Sequence, residues 1–425
     1  MNSNVPNSHD EQPPRHRSGM IATVLILTVL IGSLVVVTSQ AHLGKKTTVS
    51  TSIDHSQTVQ SQLGVYVGSG DGSLFKLNAQ KGQFLWRYKT QGRSISAPAT
   101  VANGVVYIGS LDGSVSALQA ADGNRIWQYK TQSAIISSPS VANGLVYVGS
   151  SDGNLYALQA DNGSPLWHFH PGALNTITNV NTIVVINDVV YGSSSDGIAH
   201  SYLFALNAHS GAQIWQQQIT NQSFTDPQVF NSVIYIASWA IGQEGGHDNT
   251  DSYVYAFNAK DGSQIWRSEK IGNFILFSPT FDNGVVYIGS QDTYLYAFDA
   301  TNGSRLWRHN AGGTITTSPQ VANGIVYAGV MGIGVSTTAS STKDSTQPQG
   351  YILALNAAKG SLLWQHSLQN YQGTPIKVFD SVIYVGSEDH FVYALKAADG
   401  SVIWHFKDTN AVAGVGSNAP ITVAP

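Results

Sequence analysis

From Val65 to the C-terminus the chain is a succession of short runs in which large apolar residues alternate with small or polar ones, each run closed by Gly, Asn or Asp. Alternation over about 4 to 8 residues marks a half-buried β-strand, and no stretch of this region carries the 3.6-residue period of an amphipathic helix. The clearest copy, Val105 to Thr131, reads VVYIGSLDGSVSALQAADGNRIWQYKT, and with the preceding SAPATVA it makes four strands joined by Asn-Gly and Asp-Gly pairs. Such pairs favour the tight turns of two-residue hairpins.

The same phrase recurs along the chain. Its last strand carries Trp86, Trp127, Trp167, Trp215, Trp266, Trp307, Trp364 and Trp404, at spacings of 41, 40, 48, 51, 41, 57 and 40. Self-similarity at about 40 residues with four strands per repeat predicts one propeller blade per repeat, hence an all-β, eight-bladed β-propeller of four-stranded antiparallel blades. The first repeat, starting near Gly64, has no copy of the SAPATVA strand, whereas the chain ends in SNAPITVAP. Ser417 to Val423 is therefore expected to join the first blade and close the ring.

The amino terminus reads differently. Residues 1–19 are polar, a predicted cytoplasmic tail. Residues 20–38 hold the uncharged run Met20 to Val37, long enough for a transmembrane helix acting as an uncleaved signal anchor. Ser39, Gln40 and Ala41 offer the alternative of a cleaved signal. Flanking charge is balanced, Arg15 and Arg17 against Lys45 and Lys46, and the short tail argues for the large domain outside. Residues 39–63, rich in Ser, Thr and Gln, read as a flexible stalk, and 64–425 as the propeller. The expected location is a cell membrane, crossed once, with the propeller on the extracytoplasmic side.

Composition removes several functions. With no cysteine there is no disulfide, thiolate metal site or cysteine nucleophile. A net charge of -4, without long runs of one sign, argues against nucleic acid as a partner. Only 11% of residues are charged, and abundant Ser, Thr and Asn give a neutral, wettable surface suited to recognition.

The spacing Ala-x5-Gly-x3-Trp, seen as Ala117, Gly123, Trp127 and as Ala297, Gly303, Trp307, resembles the tryptophan-docking motif of quinoprotein (PQQ-type) propellers. Seven of eight repeats fit; the first has Lys76 in place of alanine, which suggests looser docking there. The resemblance covers residues 64–425 and implies that the eight periodic tryptophans are structural. It spans pyrroloquinoline-quinone-dependent alcohol dehydrogenases, the propeller lipoprotein of the outer-membrane barrel-assembly machine and propellers of bacterial membrane kinases, so it does not by itself choose an activity. The dehydrogenases it implies use a disulfide over the cofactor, which is impossible here, and carboxylates for calcium and base catalysis, of which no cluster is visible. The expectation is a binding or scaffold module for an envelope protein or small ligand, without catalytic residues, metal or cofactor. The alternative is a PQQ-dependent alcohol or sugar dehydrogenase with PQQ and calcium.

Departures from the repeat supply the candidate site. Three insertions, Ser193 to Tyr202, Trp239 to Ser252 and Val330 to Gly350, fall between the second and third strands of their repeats, which puts them on one rim. The fifth-repeat insertion holds Trp239, Glu244, His247, Asp248 and Asp251, a mixture suited to a cation or polar ligand, though also to a solvated loop. Most innermost strands open with a small residue and proline, as in Ala97-Pro98 and Ser138-Pro139, but the fifth has Asp226-Pro227, which places one carboxylate near the central channel. The repeated pairs Asp71-Gly72, Asp112-Gly113 and Asp152-Gly153 read as turns rather than calcium loops.

Overall fold

A computed structural model describes residues 63–425 apart from 92–93, 173–178, 197–199, 241–250, 333–349, 369–370, 372, 388 and 408–419. The expected tail and membrane span, and the expected stalk up to residue 62, lie outside the described residues, among which no helix is long and apolar enough to cross a membrane. Leu63, read from sequence as the end of the stalk, is instead buried in the propeller core, its carbonyl accepting the Ala79 N–H. The described residues all belong to one compact unit, Ile53–Pro425.

Eight antiparallel sheets make up this unit. In the second blade, Thr100–Ala102 is innermost, followed outward by Val105–Gly109, Ser114–Gln119 and Arg125–Lys130. The turn between its first two strands is Asn103-Gly104, both at positive φ (51° and 75°), the type I′ geometry that matches strand twist. Asp112 accepts the Ser114 backbone N–H at 2.7 Å, and Asp71 and Asp152 do the same for Ser73 and Asn154. These carboxylates are thus engaged in their own turns.

Ring closure occurs between the two ends of the propeller. Ile421–Ala424 pairs antiparallel with Gly64–Gly68, Val67 opposite Ile421 and Val65 opposite Val423, so the last strand is the innermost strand of the first blade. Ser417, where this strand was expected to begin, is outside the described residues. Three blades go beyond four strands. In the fourth, fifth and seventh the innermost strand is in two pieces, and the second strand extends to seven or eight residues (Val189–Ser195, Val233–Ala240, Ile325–Gly332) to pair with both. These are the three blades with insertions. Each insertion therefore begins as strand, contrary to the loop boundaries expected from sequence, because added residues that continue the alternation find a partner edge for their backbone groups.

The core is not one mass but eight apolar layers, each shared by two neighbouring blades. Tyr66, Leu74 and Trp86 of the first blade meet Val106, Ile108 and Leu118 of the second, while Val65, Val67 and Leu77 turn the other way to meet Tyr384, Val392 and Trp404 of the eighth. Period-two alternation sends successive side chains to opposite neighbours.

Every blade repeats one irregularity. The pairing of third and outermost strands slips by one residue just before the tryptophan: Ala117 faces Trp127 but Leu118 faces Arg125, leaving Ile126 as the bulged residue. The slip recurs in all eight blades. A bulge re-aims the side chains beside it. Here the indole turns toward the next blade, where Trp86 Nε1 donates to the Ala120 carbonyl at 3.1 Å, and the equivalent bond, 2.8–3.1 Å long, forms at every seam including Trp404 to Ala79. In six seams a tyrosine hydroxyl also donates to that carbonyl, as Tyr147 does to Ala208 at 3.1 Å. At the first seam Lys76 Nζ takes the tyrosine's place, donating to Ala120 at 2.7 Å, and the Tyr66 hydroxyl has no partner. The indole bond there is no longer than at other seams, so Lys76 substitutes one donor for another and the seam is not loosened.

Each tryptophan ring lies on a glycine of the next blade. A Cβ at Gly123 would stand 2.7 Å from Trp86 Cε3, whereas one at Gly104 would meet nothing within 4 Å, although both have φ near the same value, 77° and 75°. Gly104→Ala should cost only the left-handed strain of about 1–2 kcal/mol, and Gly123→Ala a further 1–3 kcal/mol or so from overpacking. Urea denaturation of the two variants checks this; equal losses would remove the ring contact from the account.

Candidate functional site

The eight innermost strands surround a central cavity of about 670 Å³. Ala97, Ser138, Thr182, Asp226, Ser278 and Ser318 stand on its wall, each at the entry to the innermost strand of its blade. Five of these are small or hydroxylated, so the chain can pass close to the channel axis, and the sixth is the carboxylate singled out from sequence. Asp226 is the one acidic residue and Lys377 the one basic residue among the described residues lining the cavity.

The Asp226 carboxylate is held by donors from both neighbouring blades. Oδ1 accepts the Thr182 backbone N–H at 2.9 Å, and the Ser278 hydroxyl donates to the same carboxylate. Thr182 Oγ1 in turn accepts the Ser138 N–H at 3.3 Å. One line of polar contacts thus laces the third, fourth, fifth and sixth blades along the cavity wall. Elsewhere on the innermost strands the Thr100, Thr280 and Thr422 hydroxyls donate to carbonyls of the following blade, Pro139, Pro319 and Ala99. Part of the Asp226 surface faces the cavity, yet the surrounding protein dominates: burial pushes its pKa up to about 6, against hydrogen bonds from Thr182 and Ser278 that favour the charged form.

Trp239 joins Asp226 on this wall. The residue belongs to the strand Val233–Ala240, where it pairs with Ser223 on one side and Ser252 on the other, and so stands in the extended part of the fifth blade and not in the loop where sequence placed it. Glu244, His247 and Asp248 lie outside the described residues. Asp251 is described but is not among the cavity residues; it pairs with Lys270 and accepts the Tyr253 hydroxyl at 3.4 Å. Of the six candidates, then, Asp226 and Trp239 share one cavity. Sequence reasoning missed Thr182, Ser278 and Lys377. A signal for Thr182 was present, since the fourth repeat alone among the inner strands with a full copy lacks proline at this step and offers Asn181-Thr182-Ile183.

Comparison with known proteins places this architecture. The family model described as outer membrane protein assembly factor BamB, of the PQQ-type repeat class, matches residues 37–200, 93–233, 199–272, 250–347 and 348–424. The chain belongs to this family. The BamB-type propeller from Moraxella catarrhalis superposes with a TM-score of 0.61 at 17% identity, over 78% of this chain and 93% of that one. A quinohemoprotein alcohol dehydrogenase from Comamonas testosteroni gives 0.59 at 15% identity, over 85% and 71%. Among curated proteins, tetrathionate hydrolase of Acidithiobacillus ferrooxidans is 23% identical over 302 residues, 56% of this chain and 59% of that protein. The chain thus spans little more than half of that relative's length. Identities this low speak to the fold, which BamB-type propellers share with enzymes.

The raised pKa of Asp226 makes stability depend on pH with a definite sign. Between about pH 4 and pH 6 the folded protein holds a proton that the unfolded chain has released, so this residue's contribution falls as pH rises through that window, by at most about 2–3 kcal/mol. Asp226→Asn cannot ionise and should remove this slope. Urea midpoints of both proteins measured at intervals across the window check it: the difference between them should grow toward pH 6 and then level off.

Proposed function

We propose that this BamB-family chain is a membrane-tethered propeller displayed outside the cytoplasm that binds an envelope protein or a small polar ligand through its channel and the rim bearing the insertions. The observation that carries the reading is the meeting of Asp226 and Trp239 on the wall of one cavity, in the blade whose second strand is extended toward the insertion rim. Hairpin alternation puts the second-to-third-strand connections and the entries to the innermost strands at the same end of each blade. The cavity mouth and the insertions therefore face one way. An indole face, a carboxylate with a pKa near neutrality and a ring of hydroxyls can engage a polar group by stacking and hydrogen bonding without any bond being made or broken.

A catalytic reading has one observation in its favour: a carboxyl group with pKa about 6 inside a cavity is suited to proton transfer, and the tetrathionate hydrolase and alcohol dehydrogenase likenesses show that this fold carries chemistry elsewhere. The quinone form of that reading is not matched by the residues present. Calcium takes about 6–8 oxygen ligands. The described wall offers Asp226 as its one carboxylate, already bonded to Thr182 and Ser278, and no three His, Asp or Glu stand together as a metal site among the described residues.

Two measurements separate these readings. Calorimetry of the full chain with pyrroloquinoline quinone, with and without calcium, should give no saturable heat; calcium-dependent saturation would move the assignment to the dehydrogenase. Cross-linking of envelope proteins to the membrane-inserted chain should yield a specific adduct that Asp226→Ala combined with Trp239→Ala weakens at least several-fold. An adduct untouched by the double substitution would put the binding surface elsewhere.

A further inference from the structure

The bulged residue next to each tryptophan is an exposed aliphatic in all eight blades, 43–51% accessible, so that belt is part of the repeat and distinguishes no direction. The residue before it does. In the second, fourth, fifth and sixth blades it is polar, Arg125, Gln213, Gln264 and Arg305, and in the third it is the compact ring of Pro165. In the seventh, eighth and first it is a large hydrophobic side chain, giving the exposed pairs Leu362-Leu363, Val402-Ile403 and Phe84-Leu85. These three blades are contiguous through the ring closure. Their pairs stand where the outermost strand begins, close to the turn that joins it to the third strand, at the end of the blade opposite the insertions.

Two further features fall on the same sector. A groove of about 220 Å³ opens at the seam of the eighth and first blades, lined by Leu63, Phe379, Val382 and Ile403 among others. Charge also changes sign there. Exposed residues at this end of the seventh, eighth and first blades include Lys81, Lys359 and Lys396 against Asp380 and Asp399, whereas the corresponding turns and strand starts of the other five blades expose Asp122, Asp161, Asp188 and Asp261 against Lys260, Arg125 and Arg305, of which Arg305 is paired with Glu269.

We infer that the sector formed by the seventh, eighth and first blades rests on the surface of an anionic lipid bilayer. This deepens the membrane-tethered reading proposed above and rests on it. The polypeptide enters the propeller through Leu63, which is itself a groove residue, and the apolar run Met20 to Val37 lies only 25 residues upstream (residues 38–62). The tether therefore attaches at the sector that, among the described residues, combines pairs of large hydrophobic side chains with more exposed lysines than aspartates. Apolar side chains in the interface and lysines toward acidic headgroups are the two attractions that hold a protein on a bilayer surface. The insertion rim and cavity mouth are left facing away from the membrane, open to a partner.

The absence of cysteine makes a site-by-site test direct. In the full chain reconstituted into vesicles of phosphatidylcholine and phosphatidylglycerol, Leu363→Cys and Ile403→Cys carry an environment-sensitive fluorophore, and Leu166→Cys and Ile265→Cys carry it at equivalent bulges of the third and fifth blades. Nitroxide-bearing lipid should quench the first pair several-fold more than the second, and Lys81→Glu with Lys359→Glu should reduce that quenching. Equal quenching at all four positions, or stronger quenching at Leu166 and Ile265, overturns the assignment. A blue shift at Leu363 and Ile403 without nitroxide quenching means that protein covers the sector, and overturns it too. Extraction with alkaline carbonate reads the anchor separately: if the chain is released, the tether is refuted, and the same labels on the released chain mixed with the same vesicles still decide whether this sector binds lipid.

Discussion

The structure depends on one contact made eight times: an indole from the outermost strand of a blade, lying flat on a glycine of the next and donating to an alanine carbonyl there. A blade alone is a small twisted sheet with two apolar faces and no means of burying either. The indole is long enough to reach across the seam and has one donor to satisfy; the turn it meets has a carbonyl left without a strand partner and, at its glycine, no side chain in the way. Burial of the ring and satisfaction of both polar groups are therefore one event, and a substitution at the glycine disturbs both. Because the last seam runs from Trp404 to Ala79 and the last strand pairs with the first, no seam is terminal, and the sheet edges that remain at the channel are short innermost strands.

The bulge shows how sequence and geometry divide the work. Tryptophan at every repeat was visible as a period, and its structural nature followed from recurrence alone. The slip between Ala117 and Leu118 that aims the indole was not, since a register shift repeated in every blade leaves the period unchanged and appears in the sequence only as an aliphatic residue on the wrong face of an alternating strand. Lys76 illustrates the opposite error. As a departure from alanine it read as a weakened seam, yet the long side chain brings its ammonium group to the carbonyl that a tyrosine hydroxyl reaches elsewhere. A rule about residue type had concealed a rule about where a donor must arrive.

The candidate site was legible to the extent that it broke the repeat. Asp226 stood out because its equivalents are small or hydroxylated, and its place at the channel followed from the strand it opens. Its partners did not stand out, because Thr182 and Ser278 belong to neighbouring blades and nothing along the chain ties position 226 to positions 44 residues before and 52 after. Trp239 was visible as the ninth, non-periodic tryptophan, but reading the insertion as loop misplaced it. Added residues at a hairpin continue as strand as long as a neighbouring edge can accept their hydrogen bonds, and the split innermost strand supplies that edge in all three enlarged blades.

A ring whose seams are equivalent has no direction of its own, so any orientation or specificity must come from what differs between blades. The differences segregate. At one end, extended strands and the cavity mouth gather on the side of the insertions, with the carboxylate in the fifth blade and the lysine in the eighth. At the other, the turns are short and nearly uniform, and what varies is the residue before the bulge, a large hydrophobic around the closing seam and polar or proline elsewhere, together with the turn charges, which lean to lysine around that seam and to aspartate in the other blades. The two sets of changes can coexist because neither touches the indole contact. Residues at blade entries and at the step before the bulge lie away from the indole contact, even where the entries bond across a seam as Thr182 and Asp226 do, and they are therefore the positions at which a closed propeller can acquire a face for a ligand and a face for a surface without disturbing that contact.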